Sequence, residues 1–335
     1  MTDPRAETDD PGRVPLRLEL AIYGAATFSN SLGYMVMVAV PLLLVSLGLS
    51  PLMVGIVLGS RHLLVLFYSI HGGAMMDRLD TRRVMILFAW LTVVLPLAYP
   101  LFPFVAALII IQMAAGYCTS IGWIGALALI GQALKSSPVH TGRMGAVIRI
   151  GALTGPPLTG AAWDVAGPWA SFGLLSLWGA GLLLSCLALP DRAVEGPRPR
   201  VTMKDFMPRA SDYAAALGLL TIPLIATVIM VALLRISSFS IQASFYVVWL
   251  EGQGYTGTLI GVLLGAYSLF GGGASLAVGR LVKRFQPVWL MIVMVAITVV
   301  AITVTPALGA YWALLLVVSV NGAAYGLTQP LMIIL

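Results

Sequence analysis

The sequence predicts an all-α, polytopic membrane protein, and three observations carry that expectation. The 335 residues are 59% hydrophobic with a mean hydropathy of +0.97, and only 10% are charged, far from the composition of a soluble globular chain. Apolar runs long enough to cross a bilayer recur from end to end. Backbone polar groups in lipid must be satisfied within each run, which makes the runs helices. The two-residue alternation of a membrane β-barrel is absent from the sequence.

Residues 1–18 are polar and contain Pro and Gly. They lack the short apolar core of a cleavable signal, so they read as a cytoplasmic tail. Ten spans follow, at 19–47, 51–71, 84–102, 104–134, 141–163, 168–189, 214–249, 256–278, 288–305 and 309–335, separated by Gly/Pro and charged breaks. The first six form an N-terminal bundle (19–189), residues 190–213 a cytoplasmic linker, and residues 214–335 a C-terminal bundle of four. Cys118 and Cys186 lie inside apolar runs and read as small packing residues.

Charge orients the spans. Of the 19 Lys and Arg residues, Arg5, Arg13 and Arg17 belong to the tail or its edge. Arg78, Arg82 and Arg83 lie in the 2–3 loop, Lys135 and Arg143 in the 4–5 loop, Arg192, Arg198, Arg200, Lys204 and Arg209 in the 6–7 loop, and Arg280, Lys283 and Arg284 in the 8–9 loop. The odd-numbered loops hold none. The positive-inside rule therefore puts the N-terminus and the even loops in the cytoplasm, and Trp163, Trp169, Trp249 and Trp312 at the opposite interface. The expected location is a cytoplasmic (inner or plasma) membrane, crossed many times.

The chain repeats itself at an offset of 206 residues. "GLSPLMVGIVLGS" (48–60) lies over "GYTGTLIGVLLGA" (254–266), Gly73 over Gly279, Arg78 over Arg284, and Gly116 over Gly322. Two six-span repeats related by an axis along the membrane normal place a site between them, near the bilayer midplane. Leu335 corresponds to Leu129, inside the fourth span of the first repeat. The reading is of an incomplete second repeat with two further spans to follow; a natural ten-span protein is the alternative.

Two motifs carry a family resemblance. Between spans 2 and 3, Gly73, Asp77, Arg78, Arg82 and Arg83 stand in "GGAMMDRLDTRR". Span 5 reads "GRMGAVIRIGALTGPPLTG": Gly142, eight residues, Gly151, three residues, Gly155-Pro156, two residues, then Thr159-Gly160. The first resembles the G-x-x-x-D-R-x-G-R-R loop signature of major facilitator superfamily transporters, with Asp80 and Thr81 in place of the family's Gly and first Arg. The second is similar to the antiporter motif of that family's exporters, with Thr159 in place of one Gly. The resemblance covers the chain from about residue 19 onward. It implies alternating access between two six-helix halves, gating by Gly73, Asp77, Arg78, Arg82 and their second copies Gly279 and Arg284, and a bending, closely packed span 5 around Gly151, Gly155 and Pro156. Ordinary topology setting by the arginines and ordinary glycine packing are the alternatives. In the family the loop's Asp caps a helix N-terminus while the cytoplasmic side is closed.

The embedded ionisable residues are all basic: Arg61 and His62 in span 2, Arg149 in span 5 and Arg235 in span 7. None of the 13 acidic residues sits in the middle of a span; Asp164 and Glu251 lie at external ends. An intramembrane Arg is costly and faces a cavity or a partner. Spans 1, 2, 4, 5 and 7 line the family's cavity, so Arg235, Arg61 and Arg149 are candidate substrate contacts, with Asn30, Gln112, Tyr117 and Gln242 as polar companions. Each arginine has a bland reading as well; Arg149 could snorkel or pair with Asp77, and Arg61 could bond backbone carbonyls. His62 is a candidate proton carrier.

A positive cavity favours an anionic or carboxylate-bearing solute, which a guanidinium can hold through two parallel bonds. The expectation is a secondary transporter effluxing or exchanging a small anionic organic solute, with protons or a counter-anion as coupling partner, acting as a monomer in the bilayer. Nucleotide loops, metal-ligand clusters and nucleophile arrangements are missing from the sequence, so an enzyme, a cofactor or a nucleic-acid partner is not expected. The alternatives are a cationic or neutral multidrug exporter, and a non-transporting sensor or assembly protein of the same fold.

Overall fold

The computed structural model describes residues 15–133, 138–190 and 246–334, together with residues 214, 217–223, 225, 226, 229, 230 and 233. Among these residues every regular element is helical: α1 (Leu16–Ser46), α2 (Pro51–Ser60), α3 (Leu63–Leu79), α4 (Thr81–Leu101), α5 (Val105–Ala133), α6 (Pro138–Ala188), α7 (Gly257–Leu281), α8 (Pro287–Val304) and α9 (Tyr311–Ile334), with short 3-10 turns at Leu219–Thr221 and Thr305–Ala307. Eight helical stretches are long and apolar enough to cross a membrane, α2 and the start of α3 counting as one. Inside α6, Ala166 and Gly167 leave helical geometry, Gly167 at φ +68° just ahead of Pro168, and so divide it into the limbs expected as spans 5 and 6. The expected seventh span lies mostly outside the described residues; residues 246–252 at its end are helical.

One boundary differs instructively. The charged segment expected as a loop is almost wholly helical, because α3 runs through Gly73 to Leu79 and α4 begins at Thr81. Nothing in "GGAMMDRL" breaks a helix outright, and Arg78 in the last turn suits the negative end of the macrodipole. Only Asp80 reverses the chain, at φ +83°, the one described non-Gly residue with positive φ. This explains why the family pattern has Gly there. Asp80 offsets the strain by capping α4, its carboxylate accepting from the Arg82 N–H at 3.4 Å.

The repeat seen in the sequence recurs at particular contacts, although α7 runs unbroken where α2 ends at Ser60 and α3 begins at Leu63. Gly48 and Gly254 take positive φ (66° and 82°). Two residues on, the Ser50 and Thr256 hydroxyls cap α2 and α7, each accepting the third N–H of its helix at 3.4 Å. Gly116 on α5 lies against the Arg61 carbonyl, and its counterpart Gly322 on α9 lies against the Tyr267 carbonyl. A Cβ at either glycine would overlap that carbonyl.

The main core joins α1, α2, α4, α5 and α6 around Ile22, Leu44, Leu108 and Phe172, with Tyr99 stacked on Phe172 at 4.9 Å. A second core joins α7, α9 and residues 246–250, and it takes in Val38 and Leu42 from the far end of α1. Outward faces carry large exposed apolar side chains such as Leu66, Leu177 and Leu276, as a lipid-facing surface requires. The bundle has two distinct ends. Arg78, Arg82, Arg83, Arg143, Arg280 and Arg284 mark the basic end; Trp163, Trp169, Trp249 and Trp312 mark the tryptophan end.

Candidate functional site

Among the described residues the two repeats meet chiefly where the first limb of α6 runs antiparallel to α7. Three successive turns approach backbone to backbone. Gly160 lies on the Gly257 carbonyl, Gly261 on the Pro156 carbonyl, and Gly265 on the Leu153 carbonyl, and a side chain on any of the three glycines would overlap the facing helix. Without a hydrophobic drive between helices in lipid, close approach of small residues is what holds such pairs. The opposite face of the same limb packs on α1: Gly151 lies against Thr27 and Ser31, and Gly155 against Met35. The glycines of the span-5 motif are thus split between two neighbours. Gly151 and Gly155 seat the limb on α1, while Pro156 and Gly160 face the other repeat.

At the tryptophan end this seam closes with a charged clasp. The Asp164 carboxylate accepts from the backbone N–H groups of Gly257 (2.8 Å) and Thr258 (2.7 Å) and from the Thr258 hydroxyl (2.5 Å). These are the first N–H groups of α7, unsatisfied within the helix and at the positive end of its dipole, so a carboxylate suits them twice over. Val38 and Leu42, packed on Val247, Leu250 and Ile260, complete the seal.

Further along the seam toward the basic end stands Arg149. Its Nη2 donates to the Ser275 hydroxyl at 2.7 Å, across the two repeats, and Ser275 donates on to the Gly272 carbonyl at 2.8 Å. Gly272 gives the arginine stem room: a Cβ there would stand 2.7 Å from Arg149 Cδ.

Arg61 occupies a different place. It is only 8% exposed, inside the N-terminal bundle, and its Nη2 donates to Thr119 Oγ1 at 3.0 Å. Gln112, 1% exposed, takes the hydrogen bond of the Tyr99 hydroxyl within the same bundle. Tyr117 packs edge-on against Phe88 (5.4 Å) in a small cluster with Met75, Met76 and Ile121. Asn30 is half-buried on α1, and His62, next to the buried Arg61, is exposed. Arg149 and Arg61 are therefore not brought together. Arg235 and Gln242 lie outside the described residues, as does the Asp77 side chain.

At the basic end, Arg82 Nη2 donates to the Leu187 carbonyl at 3.2 Å, tying the start of α4 to the end of α6. Arg78 is half-buried. Gly73 and Gly279 are open, with nothing within 4 Å of a built Cβ, and Arg284 is exposed between α7 and α8. A knot that sequence reasoning missed ties α1 to α6. Glu19 Oε1 accepts from the Tyr23 hydroxyl (2.8 Å) and Arg143 Nη1 (3.0 Å), with His140 Nδ1 at 3.0 Å. The Asp164 clasp was missed as well. The available signal was an isolated acid at a span end, in a chain whose "YTGT" stretch offers a Thr-capped helix N-terminus.

Comparison with known proteins agrees with this architecture. The sequence profile described as Major Facilitator Superfamily matches residues 22–335. No curated protein sequence matches the chain. Among solved structures, a point mutant of the nucleoside transporter NupG is similar at TM-score 0.76 and 12% identity, covering 94% of this chain and 81% of that one. NupG itself is similar at TM-score 0.65 and 13% identity (95% and 80% covered). A D-xylose-proton symporter is similar at TM-score 0.58 and 12% identity (94% and 80% covered).

Proposed function

The chain belongs to the Major Facilitator Superfamily, and from that premise we propose that it is a secondary transporter that moves a small anionic organic solute across the cytoplasmic membrane by efflux or exchange. The observation that carries this reading is Arg149. It is a cation on the seam between the repeats, held by the Ser275 hydroxyl of the opposite repeat, in a chain with no acid in the middle of any span. A hydroxyl is a weak partner for a guanidinium, and a solute carboxylate or phosphate would replace it with two charge-assisted bonds. Arg235 and Gln242 of span 7 and Asn30 of α1 would complete the site from the flanking helices. Gln112 and Tyr117 would support it from within the bundle.

In this reading the basic end faces the cytoplasm and the tryptophan end faces outward. The conformation described is then sealed on the outside, by the glycine seam and the Asp164 clasp. Asp77, Arg78 and Arg82, with Gly279 and Arg284, act at the inner end. Breaking the clasp and closing the inner end together would turn the site outward. Coupling falls to a counter-anion or to protons, with His62 the candidate carrier.

Counterflow in proteoliposomes tests the reading. Vesicles preloaded with carboxylates or phosphate esters should exchange label, whereas organic cations, a nucleoside and D-xylose should not. Arg149→Gln should abolish exchange while leaving the protein folded. Preference for a cation or a neutral solute in the wild type, or full exchange in the variant, would remove the anionic reading.

A further inference from the structure

We propose that Arg61 anchors a separate site for a small monovalent anion of the chloride class, buried in the N-terminal bundle and distinct from the seam that holds Arg149. Arg61 is 8% exposed, yet its only hydrogen-bond partner among the described residues is Thr119, through Nη2 at 3.0 Å. Its Nη1 is buried with no partner there. Thr119 sends its own proton to the carbonyls of Ala115 (2.9 Å) or Gly116 (3.0 Å), so toward Arg61 it is a neutral acceptor and nothing more. The Tyr99 hydroxyl is committed to Gln112. The hydrogen-bond partner that Arg61 has among the described residues is therefore neutral, and no carboxylate occupies the middle of any span of the sequence. A guanidinium keeps its charge, and a buried charge without a counter-charge is strongly disfavoured.

The internal repeat shows that packing does not demand this charge. Arg61 and Tyr267 are repeat equivalents, and each presses its backbone carbonyl onto the equivalent glycine, Gly116 or Gly322. The helix contact is satisfied by an uncharged residue in the second repeat. The cation in the first is an addition to it, and its counter-charge has to come from outside the chain.

Size follows from the walls. Nη2 lies 3.9 Å from where a Gly33 Cβ would stand, and α5 closes the other side through Gly116. Gly33 is only half-buried, so the guanidinium sits one small residue from the surface of α1. The anion must therefore be small, and a bare halide needs less room beside the guanidinium than an organic solute does. A water molecule would satisfy an N–H but leave the charge uncompensated.

The purified full chain in detergent tests this without any transported solute, at constant ionic strength in chloride, bromide or gluconate. Thermal unfolding should move upward saturably with chloride and bromide but not with gluconate. Arg61→Gln should lose the dependence, and Arg61→Lys should bind chloride about tenfold more weakly, the factor one charge-assisted bond carries. Identical curves in chloride and gluconate, or an unchanged chloride response in Arg61→Gln, would overturn the proposal. Radiolabelled chloride in equilibrium dialysis needs no variant: one ion retained per wild-type chain supports the site, and no retention refutes it. Arg149→Gln should leave chloride binding unaltered, which separates this site from the solute site.

Discussion

Replacing Asp164 by Asn should open the tryptophan end of the seam. The clasp consists of three hydrogen bonds of 2.5–2.8 Å from one carboxylate to the start of α7. A cap of this kind contributes about 0.5–2 kcal/mol, and a carboxylate at a helix N-terminus about 0.3–1 kcal/mol. Asp164 is exposed, so solvent screening argues for the lower part of the combined range. Asn keeps one acceptor but loses the charge, and a net loss of about 1.4 kcal/mol corresponds to a tenfold shift in the closed-to-open ratio. The readout is the rate at which a polar maleimide modifies Val38→Cys in nanodiscs. Val38 is 0% exposed and sits in the seal with Leu250 and Ile260, so its reactivity reports opening. The native Cys118 and Cys186 are buried and serve as the background. The rate should rise about tenfold with Asp164→Asn, and further with Asp164→Ala, which removes every acceptor. An unchanged rate in a folded protein would refute the idea that the clasp biases the equilibrium.

Other expectations follow from single contacts. Asp80→Ala keeps the positive φ without the cap and should lower stability by about 1–3 kcal/mol, whereas Asp80→Gly relieves φ while losing the cap and should stay near neutral; thermal unfolding distinguishes them. Gly160→Val puts a side chain into the α7 backbone, so it should abolish counterflow and leave Val38→Cys permanently reactive, and slow labelling would contradict the seam. Gly116→Val and Gly322→Val should be destabilising to similar extents, about 1–3 kcal/mol each by overpacking, because both meet a carbonyl in the same way; tolerance at one position alone would contradict the structural equivalence of the repeats.

Much of the fold was legible because it rests on one-dimensional signals: apolar run length, the placement of Lys and Arg, and a repeat that keeps its glycines where helices must touch. Gly116 and Gly322 illustrate this, since their match along the sequence is a match of the same close contact. The glycines of span 5 were legible as packing positions, but which neighbour each one meets was not. That depends on the helix's azimuth, which Gly151 and Gly155 spend on α1 and Gly160 on α7. The charged segment between spans 2 and 3 misled as to its form, because a charge cluster between apolar runs reads as a loop. Helix propagates through it, and the whole reversal falls on Asp80. Asp164 was visible as an acid at a span end, but its role depends on α7 presenting its N-terminus beside it, a meeting of residues far apart in the chain. Arg61 and Arg149 read alike in sequence as embedded cations, and only packing separates one at the seam from one enclosed in a bundle.

Reciprocal opening of the two ends about the α6–α7 seam can be measured with paired spin-label distances. Val165→Cys with Gln253→Cys would report the tryptophan end, and Arg83→Cys with Arg284→Cys the basic end; all four positions are exposed. On adding a transported organic anion, the two distances should change in opposite directions, the tryptophan end lengthening in the molecules whose basic end shortens. Changes of the same sign at both ends, or none at either in a protein that catalyses counterflow, would contradict it.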